Sequence, residues 1–388
     1  MKPSYRRATL GVVLALGMLS AIPGVAFAAQ PSCGDTLMAN TTLTADLDCS
    51  GYGGDALTFG KKGITLNLGG YTIWGPVGGD GQNGIDTNYK KHVTIKHGTV
   101  SNFNTNVYLN QSVGGTVKNV TTTNNGNDSS TGVYISYGVG NVLTNVDSDG
   151  NYYGFYFYGS AANWLTSSSV INSTYGIYSE YDSNDHVSGN YFEYSYAGIY
   201  DDYSSHNVYS NNKANGDALG GYYGFYLNCD DYGWVKVLNN ETWGNDDGYG
   251  FYTYYCYDYS NQQYGSTFTG NYSHDNVDGS YGFYDYYSIN STWTGNVSKR
   301  NDSYGFYLDY PNAWFNNNVA NWNGNDGIYA VDNYGTGYGN FLSFRNNTAN
   351  NNDSYGITAD YGIANASGNM AHGNGNSPDD CYNVDCNQ

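Results

Sequence analysis

Two carboxylates, Glu180 and Asp202, fall at the same place in a repeating chain. Each follows a tyrosine by two residues (Tyr178 and Tyr200), and the two lie 22 residues apart. If the repeat stacks in register, they become neighbours on one surface. Two acids that close cannot both ionise freely, so one would keep its proton. That is the arrangement a general acid and general base need, and the separation is compatible with glycoside hydrolysis. The plainer alternative is two solvated charges on an acidic surface. Asp201 and Asp285 add to the region, because both occupy a position that is apolar in most copies. A buried Asp there needs partners or a metal, or else the strand bulges. His186 and His206 either border the same region or sit at surface corners.

Beside the pair runs a column of tyrosines. Gly, an apolar residue and Tyr are written nine times, ending at Tyr134, Tyr156, Tyr178, Tyr200, Tyr226, Tyr252, Tyr284, Tyr307 and Tyr329. On stacked strands these rings would repeat every ~4.8 Å and form a strip about 40 Å long. Sugar rings stack on aromatic faces, and phenol hydroxyls bond sugar hydroxyls. Such a strip suits an extended neutral glycan. Two alternatives stand beside this one: the rings strengthen the sheet itself, or the strip is a surface for self-association.

A third set of residues could hold metal. Asp302, Asp326 and Asp353, with Asp128 and Asp278, recur in turns rich in Asn and Gly. Hard oxygen ligands from neighbouring turns suit calcium; ordinary turn chemistry explains the same residues. The six cysteines lack zinc spacing, and histidine is scarce, with six in the chain. Cys33 with Cys49 and Cys381 with Cys386 would close the two ends. Cys229 and Cys256 fall five and six residues after the glycines of consecutive units, so stacking predicts a disulfide between them.

The elements that position these residues follow from the period. The residue after each Gly is apolar (Val133, Phe155, Ile177, Ile199, Phe225, Phe251, Phe283, Phe306, Ile328), and two positions on it is often apolar again. Alternation of period two makes a strand with one buried face and turns the Tyr outward. The Gly is expected to ease the corner before the strand. A second run ends in Asn, as in Leu238-Asn239-Asn240 and Thr294-Gly295-Asn296. Asn tolerates a left-handed corner, and stacked amides can bond from unit to unit. A third run leads into the next turn. One unit is too short to bury a core alone, so the units must stack. Three short strands and three corners per unit predict an all-β parallel β-helix of about 13 coils.

The chain divides into a signal peptide at 1–28, an N-terminal cap at 29–54, the parallel β-helix at 55–369 and a C-terminal cap at 370–388. Lys2, Arg6 and Arg7, the apolar run from Leu10 to about Leu19, and Ala26-Phe27-Ala28 carry the first assignment. Cleavage there would take three of the 14 basic residues and leave 11 against 34 acidic ones. So acidic a surface repels nucleic acid and anionic membranes. No second membrane span is expected, and the location is extracellular, at the cell surface or periplasmic.

The Gly-Ile/Phe-Tyr strands, the Ser/Thr-Gly-Asn corners and the opening Cys33-Gly34-Asp35-Thr36 through Cys49 resemble secreted right-handed parallel β-helix proteins. These include the NosD-type repeat proteins and, more distantly, the pectate-lyase-like superfamily. The resemblance implies that substrate lies along the outside of the parallel sheet, which here is the Tyr face. It leaves function open, because this fold hosts lyases, hydrolases, epimerases and adhesins. Catalytic motifs depart from those families: Tyr281-Gly282-Phe283-Tyr284-Asp285 lacks the Pro-His of alginate epimerases. Copper, which the NosD likeness would suggest, finds only Met38 and Met370 after processing, and no histidine cluster. The expectation is therefore a protein that binds, and in its enzymatic version cleaves, extracellular polysaccharide. The rival is a structural or adhesive protein that self-assembles.

Overall fold

The computed structural model describes residues 30–387 apart from 77–81, 125–128, 217–219, 230–232, 257–264, 288, 310–311, 332–341, 360–362 and 376–379. The proposed signal peptide, Asp128 and the two longest insertions (around 257–264 and 332–341) thus lie outside the described residues, in whole or in part. Among the described residues every regular element is a strand, and the strands pair in parallel from coil to coil. The result is a right-handed parallel β-solenoid of about 13 turns.

One face is a 15-stranded sheet that takes one strand from each turn and one from each end, Asp35–Leu37 and Cys381–Tyr382. Its middle runs through Thr131–Ser136, Tyr153–Tyr158, Tyr175–Glu180, Ala197–Asp202, Tyr223–Asn228, Tyr249–Tyr254 and Tyr281–Tyr286. The register is strict: Tyr134 faces Tyr156, Tyr156 faces Tyr178, and so on to Tyr307 and Tyr329. The remaining strands make the other two faces. In the early turns these two faces share one long bent strand, as in Val142–Asp149; later they separate, as in Trp164–Thr166 and Ser169–Ile171. The bend sits at a left-handed residue, Asn145 or Asn239, or at Gly270.

Inside, each column repeats one kind of contact. Phe225, Phe251, Phe283 and Phe306 stack at 4.8, 4.8 and 4.6 Å between ring centroids. At the second corner a buried ladder runs through Asn190, Asn212, Asn240, Asn271, Asn296, Asn318, Asn347 and Asn369. Each backbone amide and side-chain Nδ2 donates to the Oδ1 of the next, as Asn271 does to Asn296 at 3.0 and 2.9 Å. A second ladder at the third corner joins Asn245, Asn276, Asn301, Asn323, Asn352 and Asn374 and ends on Asp380. Backbone groups at tight corners would otherwise be buried and unpaired, so the ladders satisfy what the turns leave open.

The glycine of the motif does a different job from the one its sequence suggests. Gly132, Gly154 and Gly224 lie inside strands, and none has a left-handed φ. A Cβ on Gly154 would lie 2.5 Å from Val170 Cγ1 and 2.7 Å from the Gly176 carbonyl oxygen. The missing side chain therefore lets the strand close against the core and the next coil; the corner is not involved.

Three disulfides close, Cys229–Cys256 as the repeat spacing predicts and Cys33–Cys49 and Cys381–Cys386 at the two ends, with Cα separations of 4.7, 5.7 and 6.4 Å. Cys229–Cys256 ties adjacent coils together.

Candidate functional site: the tyrosine face

Period-two alternation on the 15-stranded sheet leaves the motif tyrosines half-buried, with their sides packed and their hydroxyl ends reaching outward. Tyr108 extends the column by one. Neighbouring rings from Tyr108 to Tyr329 lie 4.3–5.3 Å apart. Most pairs are close to parallel, with Tyr178–Tyr200 at 3° and Tyr284–Tyr307 at 2°. Burial raises the pKa of the phenols from Tyr108 to Tyr284; Tyr249, in the flanking column, is pushed up to about 12. The rings thus stay neutral over the physiological range, and their hydroxyls remain hydrogen-bond donors.

The face is wider than the motif suggests. A second column, Tyr153, Tyr175, Tyr223, Tyr249, Tyr281 and Tyr304, stands just before the glycines and leans on the first, with Tyr153–Tyr156 at 5.1 Å and Tyr249–Tyr252 at 5.0 Å. Tyr254 and Tyr286 stack at 5.1 Å two positions beyond the motif. These columns are visible in the sequence as Tyr-Gly-x-Tyr and Gly-x-Tyr-x-Tyr, but the nine-fold motif draws attention to only one of them.

Glu180 and Asp202 are register partners on adjacent strands of this face. Each is engaged. The Tyr156 hydroxyl donates to Glu180 Oε2 at 3.2 Å, and Asn228 Nδ2 donates to Asp202 Oδ1 at 2.7 Å. The first bond coincides with the one right-angled step in the ladder: Tyr156 and Tyr178 meet at 80°. Asp201 and Asp285 point inward and are buried without a bulge; Asp201 pairs in register with Ser179 and Leu227, and Asp285 with Leu308. Partners compensate for their burial: Tyr209 and Asn207 bond Asp201, and Thr253 bonds Asp285. His186 and His206 do not border the acidic pair. His186 lies on another face, stacked on the exposed Trp164 at 4.1 Å, and His206 sits at a corner, edge-on to Trp234.

The turn aspartates separate. Asp302 and Asp353 line an open cleft of about 490 Å³ with Asp275, Asp278, Arg300 and Trp322. Asp326 is buried elsewhere and accepts the Tyr355 amide, while Asp302 accepts that of Gly279. Next to this cleft runs a charge network that single-column reading missed. Lys213 pairs with Glu241, Glu241 with His274, His274 with Asp275, and Asp275 with Arg300, all at 2.5–3.2 Å. Hydrogen bonds from Arg300 hold Asp275 low; burial pushes Glu241 up, but Lys213 and His274 outweigh it. Only the register, which pairs Lys213 with Glu241 and Trp243 with His274, reveals the grouping.

Fold and surface together define a disulfide-bonded parallel β-helix protein with a tyrosine-rich face. The chain belongs to the family described as periplasmic copper-binding protein (NosD), whose model matches residues 64–246 and again 189–331. Among solved structures it is similar to the A-module of the mannuronan C-5 epimerase AlgE6 from Azotobacter vinelandii, with a TM-score of 0.56 and 14% identity over 86% of this chain and 91% of that one. It also matches the catalytic domain of a GH87 alpha-1,3-glucanase in complex with nigerose (TM-score 0.44, 16% identity, 88% of this chain, 62% of that one). A third match is PfbA, a surface adhesin of Streptococcus pneumoniae (TM-score 0.36, 11% identity, 84% of each chain). At these identities the likeness is one of fold. No curated protein matches the chain by sequence.

The copper of the family's description does not fit the residues present. All six cysteines are in disulfides, and Met38 and Met370 are exposed near opposite ends of the solenoid. Among the described residues no group of three or more His, Cys, Asp or Glu could hold a metal ion. Nor does any helix among them have the length and apolarity to cross a membrane.

Proposed function

We propose that this chain binds an extended, uncharged polysaccharide along its tyrosine face. The observation that carries the reading is the continuous ladder of half-buried, neutral Tyr rings, ten deep and flanked by a second column. A periodic row of rings and hydroxyls offers the same contact to each successive segment of a polymer. The formal charge of −20 disfavours a polyanion. Binding should therefore strengthen with oligosaccharide length, and a glycan array graded by chain length tests this. Equal signal for short and long chains would count against it.

In the enzymatic version, Glu180 and Asp202 are the acid and base of a glycosidase or lyase, with Tyr178 and Tyr200 as platforms. Full activity in both Glu180→Gln and Asp202→Asn would end that version. The competing reading is an adhesive protein that self-associates through the same strip, for which the regularity of the ladder is equally suited. Calcium at Asp302 and Asp353 is tested by melting with and without chelator; an unchanged midpoint removes it.

A further inference from the structure

Behind the tyrosine face, three aspartates interrupt three inward columns at neighbouring coils. Where other coils carry Ser160 and Ser204, one carries Asp182; between Asn163 and Asn207 stands Asp185; between Ser179 and Leu227 stands Asp201. All three side chains are buried, 1–2% exposed. Each has one oxygen bound. Asp182 Oδ1 accepts the Ser160 amide and hydroxyl at 2.5 and 2.7 Å. Asp185 Oδ1 accepts the Asn163 amide and Nδ2 at 2.7 and 3.2 Å. Asp201 Oδ2 accepts the Tyr209 hydroxyl at 2.5 Å and Asn207 Nδ2 at 3.2 Å. The second oxygens, Asp182 Oδ2, Asp185 Oδ2 and Asp201 Oδ1, are buried without a hydrogen-bond partner.

A carboxylate buried with one oxygen unpaired is costly; a neutral carboxyl is much less so. We propose that the Asp182–Asp185–Asp201 cluster is a proton-binding seam that makes the middle coils stable in mild acid and loosens them as the pH rises through neutrality. The groups around it reinforce this. Asp182 feels Asp185 and Asp201, Asp185 feels Asp201, and Asp201 feels Asp202. Tyr209 is buried and stays protonated. Glu180, His186 and His206 on the same coils are half-buried. Burial, then the neighbouring acids, pushes Asp185 up to about 7 and Asp182 well above the usual carboxylate range. Burial pushes Asp201 up to about 6, even with the Tyr209 bond working against it. Because these folded-state values exceed those of an unfolded Asp, the stabilisation is complete below about pH 4. It is lost between about pH 4 and the folded values near 6 and 7, where the unfolding constant grows about tenfold per pH unit for each such group, and the loss levels off above them.

The solenoid supplies its own controls, because Asp185→Asn restores the ladder of Asn163 and Asn207, and Asp182→Ser restores the column of Ser160 and Ser204. Urea unfolding of the full chain would be measured from pH 4.5 to 8. The wild type should lose stability across that range. Each variant should lose less and gain about tenfold or more in folding constant at pH 8. Wild-type stability that is flat or rising from pH 5 to 8, or variants with the wild-type slope, would overturn the proposal. A proton count keeps the test decisive even if a variant fails to fold: wild-type protein unfolded at pH 6 in weak buffer should release protons. No release would refute the seam.

Discussion

The same two coils present carboxylates to two environments. Outside, Glu180 and Asp202 stand across from each other on the tyrosine face, half-buried, each bonded by a neighbouring side chain. Inside, Asp182, Asp185 and Asp201 are sealed from solvent with an oxygen apiece left over. The difference shows that, in a solenoid, the column a residue occupies decides its chemistry more than its sequence neighbours do. Asp201 and Asp202 are adjacent in the chain, yet one faces the core and the other the tyrosine surface. Sequence spacing directs attention to the outer pair as the place of shifted protonation; burial brings in the inner three.

Substitutions separate the two environments. Inner changes should cost stability while sparing whatever the face binds; outer changes should do the reverse. The largest expected effect is Phe251→Ala, which opens the stack between Phe225 and Phe283 and should cost about 3–5 kcal/mol in urea unfolding. Asn271→Ala comes next. It leaves the Asn240 amide groups and the Val237 carbonyl without their buried partner and should cost about 2–3 kcal/mol. Reducing the Cys229–Cys256 bridge releases a closed segment of 27 residues and should cost about 3 kcal/mol or less, because the ladders still hold the coils. On the outer side, Tyr226→Ala should lower polysaccharide affinity about tenfold, with a stability loss near 1 kcal/mol from the lost ring pairs. The smallest effect is that of Glu180→Gln, which weakens the bond from Tyr156 and should change stability by less than about 0.5 kcal/mol.

Much of this was legible in the chain, for a definite reason. A repeat of nearly constant length converts sequence position into register, so the facing of Glu180 with Asp202 and the approach of Cys229 to Cys256 follow from counting alone. What counting does not supply is depth. Glycine in Gly154-Phe155-Tyr156 reads as a corner residue until the Val170 side chain is seen packed against it. The charge network from Lys213 to Arg300 spans coils of unequal length, so its members do not share a spacing. The inner acids were visible as departures from a column, Asp185 among Asn and Asp182 among Ser, but their isolation from water was not.

On the proposed function, the tyrosine ladder holds a polymer. The most direct test is binding of neutral oligosaccharides of increasing length to the wild type and to the Tyr200→Ala/Tyr226→Ala double variant, which interrupts the ladder in its middle. Affinity should rise with chain length in the wild type and fall at least tenfold in the variant, whose fold should stay intact. No binding by the wild type at any ionic strength, with self-association that the double variant abolishes, would contradict it and make the face an assembly surface.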